Sequence, residues 1–360
     1  MPTFREDLQS ITPYRPGKPI EEVAREYGLE RVVKLASNES PLPPFPEVQE
    51  AIARHAGQLN RYPDNQRYYL RQAVAGHHGI PEQHLLFGAG TTELLLTIAL
   101  AVGGPGTSAV YAWPSFIMYP IVTKLAGAGS IEVALDERLR HDLEAMAAGV
   151  RPHTTIVYVC NPNNPTGTYV PADDLFEFID RLPGRLLVVV DEAYFEYAQA
   201  ADYGSALPLA LERDNVLVTR TFSKVYGLAG LRVGYLVGHP DTLDQLRRAQ
   251  IPFSVSSIAQ VAAMESLKYP VRVAERIQRN AEGLKLLSDE LAERGIPFVE
   301  SQTNFVYLKA GGDSQRAHQA CLGKGAIIRP MAEGWCRVSV GTEVENRAFL
   351  EALDEVRPEL

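Results

Sequence analysis

Apolar residues in positions 46–252 follow two alternating patterns. Segments such as FPEVQEAIARHAG, TTELLLTIALAV and ADDLFEFIDRL repeat apolar residues with the period of an amphipathic helix. Between them lie short strand-like runs, which are SAVYAW, TTIVYVC, LLVVVDEAY, NVLVTRTFS and LRVGYLVG. Stretches such as IVYV and LLVVV are apolar at every position, which is typical of strands buried on both faces. The pattern therefore predicts a large α/β domain whose mostly parallel central sheet is covered by helices.

The pattern changes after residue 252. Two long helical segments, SSIAQVAAMESLKY and VRVAERIQRNAEGLKLLSDELAERG, lead into the short strand-like runs PFVE, FVYLKA, AIIRP and WCRVSVG. A last helical segment, TEVENRAFLEALDEV, closes the chain. This order predicts a smaller α+β domain over residues 253–360, with a hinge near residues 250–255. Residues 1–45 are irregular and rich in proline, and we expect an arm that packs on the small domain or on a partner subunit.

Composition narrows the class of protein. A chain of 360 residues suits two domains, and 46% hydrophobic with 22% charged residues is typical of soluble globular proteins. The net charge of −9 argues against nucleic acid as the main partner. The longest nearly apolar run, residues 94–102, is too short for a membrane helix, and MPTFREDLQS contains no apolar signal core. With three distant cysteines and no zinc motif, we expect a cytoplasmic enzyme without a metal.

Polar residues follow three successive predicted strands. Ligands of open α/β sheets bind outside the carboxyl ends of the strands. TTIVYVC is followed by NPNNPTG with Asn164, LLVVV by Asp191 and Tyr194, and NVLVTR by Thr221 and Lys224. We therefore expect one edge of the predicted sheet to carry an amide, a carboxylate with a phenol, and an amine. Each also has a structural alternative, since Asn164 could form a turn, Asp191 could cap a helix and Lys224 could be a solvated lysine.

Together these groups match what pyridoxal phosphate requires. The cofactor needs a lysine amine to bond with, a carboxylate against its ring nitrogen, and donors to its ring hydroxyl. Its phosphate needs cations, hydroxyls and backbone N–H groups. The candidates are Lys224, Asp191, Asn164 with Tyr194, and, for the phosphate, Arg232 with Ser223.

A glycine-rich segment, FGAGTTE, precedes the helical run LLLTIAL. Its residues Gly90, Thr91 and Thr92 would place backbone N–H groups, hydroxyls and a helix dipole at an anion. The alternative is that the glycines only allow a tight turn. The segment lacks the GxxxxGK[ST] pattern, so it does not predict a nucleoside triphosphate site.

These motifs resemble those of the fold-type I, aspartate-aminotransferase-like family of pyridoxal-phosphate enzymes. TRTFSKVYGLAGLRVGY is similar to the family's cofactor-lysine segment, and NPNNPTG and DEAY are similar to its ring-binding motifs. YAWPSFIMY resembles the segment whose aromatic residue, here Phe116, stacks on the ring. The resemblance covers essentially the whole chain and implies the aspartate-aminotransferase-like fold. It also implies that Lys224, Asp191 and Tyr194 are catalytic and that Thr221 is among the cofactor ligands.

Four further stretches resemble the histidinol-phosphate aminotransferase branch of that family. They are PYRPGKP, LASNESP, RYPD, and IRPM followed by CRVSVGT. The likeness implies that Tyr62 reaches the cofactor phosphate of the neighbouring subunit in a homodimer. It implies that substrate is bound by Tyr14, Asn38, Asn164, Arg329 and Arg337. The implied reaction converts L-histidinol phosphate and 2-oxoglutarate into imidazole acetol phosphate and L-glutamate.

The paired arginines make chemical sense for these substrates. The planar fork of Arg337 can hold a carboxylate or a phosphate, and Arg329 with Tyr14 would suit the larger phosphate dianion. An unpaired charge within the strand-like run WCRVSV would be costly, which favours a binding role for Arg337. Arg329 could instead be an ordinary charge at a strand edge.

Two segments depart from the branch, and three other functions stay open. The hinge segment PFSVSS has serines where asparagines are usual, and the loop MAEGW is short. We expect both to border the substrate pocket. The alternatives are an aminotransferase for aromatic amino acids, a pyridoxal-phosphate decarboxylase for a phosphorylated amino acid, and a cofactor-binding regulator without turnover. If Arg329 and Tyr14 face the pocket, histidinol phosphate is favoured over an aromatic amino acid.

Overall fold

A computed structural model describes residues 2–14 and 16–356 of the chain. Arg15, in the motif PYRPGKP, lies outside the described residues. The described helices are α1 (Ile20–Tyr27), α2 (Pro46–His55), α3 (Tyr68–His78), α4 (Gly90–Val102), α5 (Met118–Leu125), α6 (Leu143–Gly149), α7 (Ala172–Arg181), α8 (Leu207–Glu212), α9 (Pro240–Ala249), α10 (Ser257–Ser266), α11 (Pro270–Glu293), α12 (Ser314–Gly323) and α13 (Glu343–Val356). Among the described residues, no helix is both long enough and apolar enough to cross a membrane.

The strands form one large and two small sheets. Their bounds are β1 (Val33–Lys34), β2 (Leu85–Gly88), β3 (Ser108–Trp113), β4 (Gly129–Ala134), β5 (Thr154–Cys160), β6 (Leu187–Asp191), β7 (Val216–Thr221), β8 (Gly234–Gly238), β9 (Phe298–Val299), β10 (Phe305–Lys309), β11 (Ala326–Ile327), β12 (Arg329–Pro330) and β13 (Trp335–Ser339).

The large sheet has the order β2-β8-β7-β6-β5-β3-β4. Its neighbouring pairs from β4 to β7 are all parallel, and β8 runs antiparallel to both β7 and β2. Successive residues of β5 pack into different cores, because side chains alternate between the two faces of a strand. Val157 and Val159 join the core on one face, whereas Ile156 and Tyr158 join the core on the other. The predicted α/β architecture with a mostly parallel sheet is thus confirmed.

The smaller unit contains an antiparallel sheet of order β12-β13-β10-β9 and a parallel pair of β1 with β11. Its core combines Leu287 and Leu291 of α11 with Val306, Val338 and Phe349. Since β1 belongs to residues 1–45, the N-terminal segment adds a strand to this unit. The segment is also less irregular than its prolines indicate, because Ile20–Tyr27 forms a helix whose C-cap is Gly28 in the left-handed conformation.

The packing of α10 and α11 bears on where the boundary between the two units lies. The sequence assigns α10 to the small domain, but α10 packs on α2 and α3, and its Ala259, Ala262 and Ala263 lie in the large core. Helix α11 then passes from the large core, at Val273 and Ile277, to the small core. We therefore propose that the boundary lies within α11 rather than at residue 252.

The pairing register brings three strand ends together. Cys160 of β5 is opposite Asp191 of β6, and Asp191 is opposite Thr219 of β7. The loops that leave β5, β6 and β7 therefore start at one edge of the sheet. This edge carries the candidate site.

Candidate active site

A cavity of about 570 Å³ opens at the carboxyl ends of β5, β6 and β7. Most of the residues predicted for the site line it. They are Tyr14, Asn38, Thr91, Thr92, Phe116, Asn164, Asp191, Tyr194, Thr221, Ser223, Lys224, Arg232, Arg329 and Arg337. The two predicted residues that do not line it are Gly90 and Tyr62.

Lys224 lies in the turn after β7 and is partly buried. Its Nζ donates to the backbone oxygens of Asn38, at 3.0 Å, and of Ser37, at 3.4 Å. Burial, together with the positive charge of Arg337, lowers the pKa of Lys224 to about 7. Lys224 is therefore not a solvated surface lysine, and a large share of its amine is neutral and nucleophilic near neutral pH.

Asp191 is buried at the floor of the cavity and holds two hydroxyl donors. Thr219 donates to Oδ1 at 2.8 Å, and Tyr119 donates to Oδ2 at 3.1 Å. Burial raises the pKa of Asp191, and these hydrogen bonds oppose the rise. Asp191 does not cap a helix, so its carboxylate is not used by a helix N-terminus and can bind a cation or an N–H group in the cavity. Sequence reasoning missed both donors, although Thr219 shares a strand face with Thr221 through the two-residue period.

Tyr194 and Asn38 form a second buried pair. The Nδ2 of Asn38 donates to the phenol of Tyr194 at 2.9 Å, and the Oδ1 of Asn38 accepts from Ser339 at 3.2 Å. Burial raises the pKa of Tyr194, so its phenol stays protonated. A protonated phenol in this position can donate a hydrogen bond to an oxygen in the cavity.

Asn164 lies in a turn, but its side chain does not stabilise that turn. The turn is stabilised by its neighbours, since Asn161 bonds with the backbone of Val170 and Asn163 donates to Thr166. The Oδ1 of Asn164 accepts from Arg337 at 2.6 Å instead. This bond links the large sheet to the small antiparallel sheet at the cavity wall.

Arg337 is a cation without an acidic partner in the described chain. Its Nη1 is bound to Asn164, its Nη2 donates to the backbone oxygen of Ala36 at 2.7 Å, and its buried Nε has no hydrogen-bond partner among the described residues. Burial lowers the pKa of Arg337. A buried guanidinium with a free donor is costly unless an anion binds it. Beside it, Arg329 lies over the ring of Tyr14, with Cζ 5.1 Å from the ring centroid.

A phosphate-sized recess forms where α4 begins. Gly90 has a φ of +77°, and a Cβ there would come within 2.6 Å of Nη2 of Arg232. Only glycine leaves this space open. Arg232 also approaches Ser223, and the hydroxyls of Thr221 and Ser223 lie 2.9 Å apart. The backbone N–H of Ala89 donates to the carboxylate of Glu93. The N–H groups that remain available to a ligand at the start of α4 therefore begin with that of Gly90.

These groups fit pyridoxal phosphate in type and arrangement. A buried carboxylate can meet the ring nitrogen, Asn164 and Tyr194 can meet the ring hydroxyl, and the recess beside Gly90 can take the phosphate. Phe116 lines the cavity and meets Tyr119 edge-on, with ring centroids 5.7 Å apart. Two observations carry the fit: the space that Gly90 leaves beside Arg232, and the buried Nε of Arg337, which has no hydrogen-bond partner among the described residues.

The hinge serines lie elsewhere than expected, whereas the reach of Tyr62 into a neighbouring subunit stays a prediction. Tyr62 is 84% exposed and stacks on Phe253 at 4.9 Å, away from the cavity of its own chain. The hinge serines do not line the cavity either. Ser254 accepts from Arg67, and Ser256 caps α10 through the N–H of Ala259. Of the short loop after Arg329, Met331 does line the cavity.

Comparison with known proteins identifies the family. The sequence profile of the class I and II aminotransferases matches residues 30–353. An aromatic amino acid aminotransferase of Thermobifida fusca is 45% identical over 97% of this chain and 96% of its own. A histidinol-phosphate aminotransferase of Moorella thermoacetica is 41% identical over 99% of this chain and 93% of its own.

A solved structure supports the same family assignment. The crystal structure of histidinol-phosphate aminotransferase from Sinorhizobium meliloti, in complex with pyridoxal-5'-phosphate, superposes with a TM-score of 0.90. It is 30% identical, and the match covers 99% of this chain and 98% of that one. The family match favours an aminotransferase over the decarboxylase and regulator alternatives. The chain belongs to the class I and II aminotransferase family, and its cofactor is pyridoxal phosphate.

Proposed function

We propose that this aminotransferase converts L-histidinol phosphate and 2-oxoglutarate into imidazole acetol phosphate and L-glutamate. The observation that carries the proposal is the second cation of the cavity. Arg329 and Arg337 both line it, and the phenol-bearing Tyr14 lies against Arg329. A substrate phosphate with two negative charges needs more than one cation, whereas a single carboxylate is satisfied by one arginine fork.

We assign the cofactor contacts to the groups around the cavity floor. Pyridoxal phosphate supplies an electron-withdrawing ring that stabilises negative charge on the substrate carbon. Asp191 would accept from the ring N–H, Asn164 and Tyr194 would hydrogen-bond to the ring hydroxyl, and Phe116 would pack on the ring. The phosphate would be held by Gly90, Thr91, Thr92, Thr221, Ser223 and Arg232.

Lys224 is the residue that moves the proton. Its Nζ would take the proton from the substrate carbon that carries the amino group. A pKa of about 7 suits this task, since the amine is then neutral enough to accept a proton and can release it again. Asn38 and the Asn164–Arg337 pair bind the substrate. Arg337 serves both substrates, because glutamate also carries carboxylates.

We further propose that two copies of the chain share their sites. Tyr62 is 84% exposed and stacks on Phe253, which is itself exposed. Leu59, Tyr68, Tyr69 and Ile251, which are close to these two residues in the sequence, are exposed as well. Exposed apolar side chains, where they are contiguous, are typical of an interaction surface. In a two-fold dimer, Tyr62 would reach the phosphate recess of the neighbouring subunit.

Transamination of aromatic amino acids is the second candidate. It is favoured by the 45% identical relative of that name and by the apolar side chains in the cavity wall, Trp113, Phe116, Ile117 and Met118. An aromatic ring would pack well against them. This candidate leaves Arg329 without an anionic group of the substrate to bind.

A half-reaction separates the two candidates. Cofactor-loaded protein is mixed with L-histidinol phosphate or with L-phenylalanine, and the visible absorbance of the cofactor is followed over time. Faster conversion at lower concentration by histidinol phosphate, with imidazole acetol phosphate as product, supports the proposal. Conversion by phenylalanine alone would replace it with the aromatic assignment. The Lys224→Ala variant is the control and should convert neither.

A further inference from the structure

A second cavity, of about 510 Å³, lies apart from the candidate active site. It is bounded by α11, by the segment Ser40-Pro41-Leu42, and by residues 340–343 at the end of β13 and the start of α13. It shares no lining residue with the cavity around Lys224. A volume of this size is within the range of small-molecule sites.

One side of this cavity offers unused hydrogen-bond donors. Tyr197 is 94% buried, and its phenol has no hydrogen-bond partner among the described residues. Arg276 donates to the backbone oxygens of Val225 and Pro43, which leaves three of its five N–H groups uncommitted. Arg279 is exposed at the rim and has no ion pair within the described chain. Together these groups suit a carboxylate.

The cavity also offers hydrogen-bond acceptors. The Oδ1 of Asn304, a residue that is 99% buried, has no hydrogen-bond partner among the described residues. Glu282 and Glu343 contribute carboxylates, of which the first accepts from Gln278 and the second pairs with Arg347. Two arginines and two glutamates give the lining no net charge. A ligand that carries one positive and one negative charge therefore fits better than a dianion.

Asn304 connects this cavity to the catalytic lysine. Its Nδ2 donates to the backbone oxygen of Asn38 at 3.1 Å, and Nζ of Lys224 donates to the same oxygen at 3.0 Å. Any ligand that repositions the Asn304 amide changes how that oxygen is shared. In protein without cofactor, Lys224 responds because its free Nζ loses or gains an acceptor.

We propose that the second cavity binds a free α-amino acid as an effector. Its carboxylate is bound by Arg276, Arg279 and Tyr197. Its ammonium is bound by Asn304 Oδ1 and the carboxylates of Glu282 and Glu343. Binding is coupled to Lys224 through Asn304 and Asn38. The inference holds for either amino substrate, so its failure would leave the proposed function in place.

The test is a calorimetric titration of the holoenzyme with each of the twenty protein amino acids. The cofactor's visible spectrum is recorded alongside, because an amine bound at the active site changes the spectrum and one bound in the second cavity does not. We expect at least one amino acid to bind without a spectral change. Its affinity should fall about tenfold or more in Arg279→Gln and in Tyr197→Phe, and should be unchanged in Arg337→Gln.

Arg279 is exposed, so Arg279→Gln keeps the test valid even if Tyr197→Phe disturbs folding. The site is refuted if every binding amino acid changes the spectrum, or if both cavity variants bind as the wild type does. Coupling is tested by comparing protein with and without cofactor, in which Lys224 is bonded or free. An affinity difference of about fivefold or more is expected, and equal affinities would refute the coupling.

Discussion

Arg329 and Arg337 are directly opposite each other on the antiparallel strands β12 and β13. Residues in such a pair project from the same face of a sheet, so both guanidinium groups reach the cavity around Lys224. Like charges directly opposite each other destabilise a sheet. This cost favours a binding role for the pair, and we propose that Arg329 is the second cation on which the proposed substrate depends.

The pKa of Lys224 predicts how the protein takes up its cofactor. Only the neutral amine attacks an aldehyde, so the rate of cofactor capture by cofactor-free protein should rise with pH through about 7 and level off above it. Stopped-flow absorbance measures this profile. In Arg337→Gln the midpoint should move to higher pH, because a positive charge that disfavours the ammonium is removed. A midpoint near 10.5, the ordinary lysine value, would contradict the prediction.

Tyr119 and Tyr158 form a matched pair for testing the floor of the site. Their rings stack at 4.8 Å and both are fully buried, but only Tyr119 donates to Asp191. Tyr119→Phe removes a hydrogen bond to a carboxylate, worth about 1.5–3 kcal/mol. Because this bond exists before the cofactor binds, its loss weakens binding only by holding Asp191 less firmly, and the dissociation constant for the cofactor should rise about threefold or more, as measured by equilibrium dialysis.

Tyr158→Phe is the control for that variant. The Tyr158 hydroxyl is buried without a partner in the described chain, so its removal should leave cofactor affinity unchanged and stability equal or higher by about 1 kcal/mol. If the two variants weaken cofactor binding equally, Tyr119 does not act through Asp191.

The strands that the sequence predicts best are those with no polar face. β5 and β6 are recognisable because helices cover both faces of the sheet, so that their runs IVYV and LVVV are apolar at every position. The sequence does not predict β4, because it is an edge strand with partly exposed residues in the run GSIEVA. It does not predict β2 either, because that strand has only four residues before the glycine-rich turn.

The residues of the candidate site also divide into those that the sequence predicts and those that it does not. Lys224, Asp191 and Asn164 are predictable because each follows a buried strand and belongs to a recognisable motif. Thr219 and Tyr119 matter only through the β6–β7 register and the placement of α5, which the sequence does not display. The role of the Asn38 backbone oxygen is invisible to any motif, since it depends on where the N-terminal segment crosses the cavity.

Tyr62 provides a test of the shared site. If Tyr62 completes the neighbouring subunit's site, Lys224→Ala and Tyr62→Ala each lower activity in their homodimers. Mixing the two variants should restore one complete site in each mixed dimer, which by random pairing is about a quarter of all sites. Recovery of activity after mixing measures this. Absence of recovery, with subunit exchange verified by mass, would place Tyr62 outside the site.

The most direct test of the central claim compares the wild type with Arg329→Gln on two substrates. Single-turnover rates are measured with L-histidinol phosphate and with L-phenylalanine, under matched conditions. The wild type should prefer histidinol phosphate. Arg329→Gln should lose about tenfold to a hundredfold in efficiency with histidinol phosphate, because a charged hydrogen bond to the phosphate is lost. With phenylalanine it should keep nearly its full rate. Equal losses on both substrates, or a wild type that converts only phenylalanine, would contradict the account.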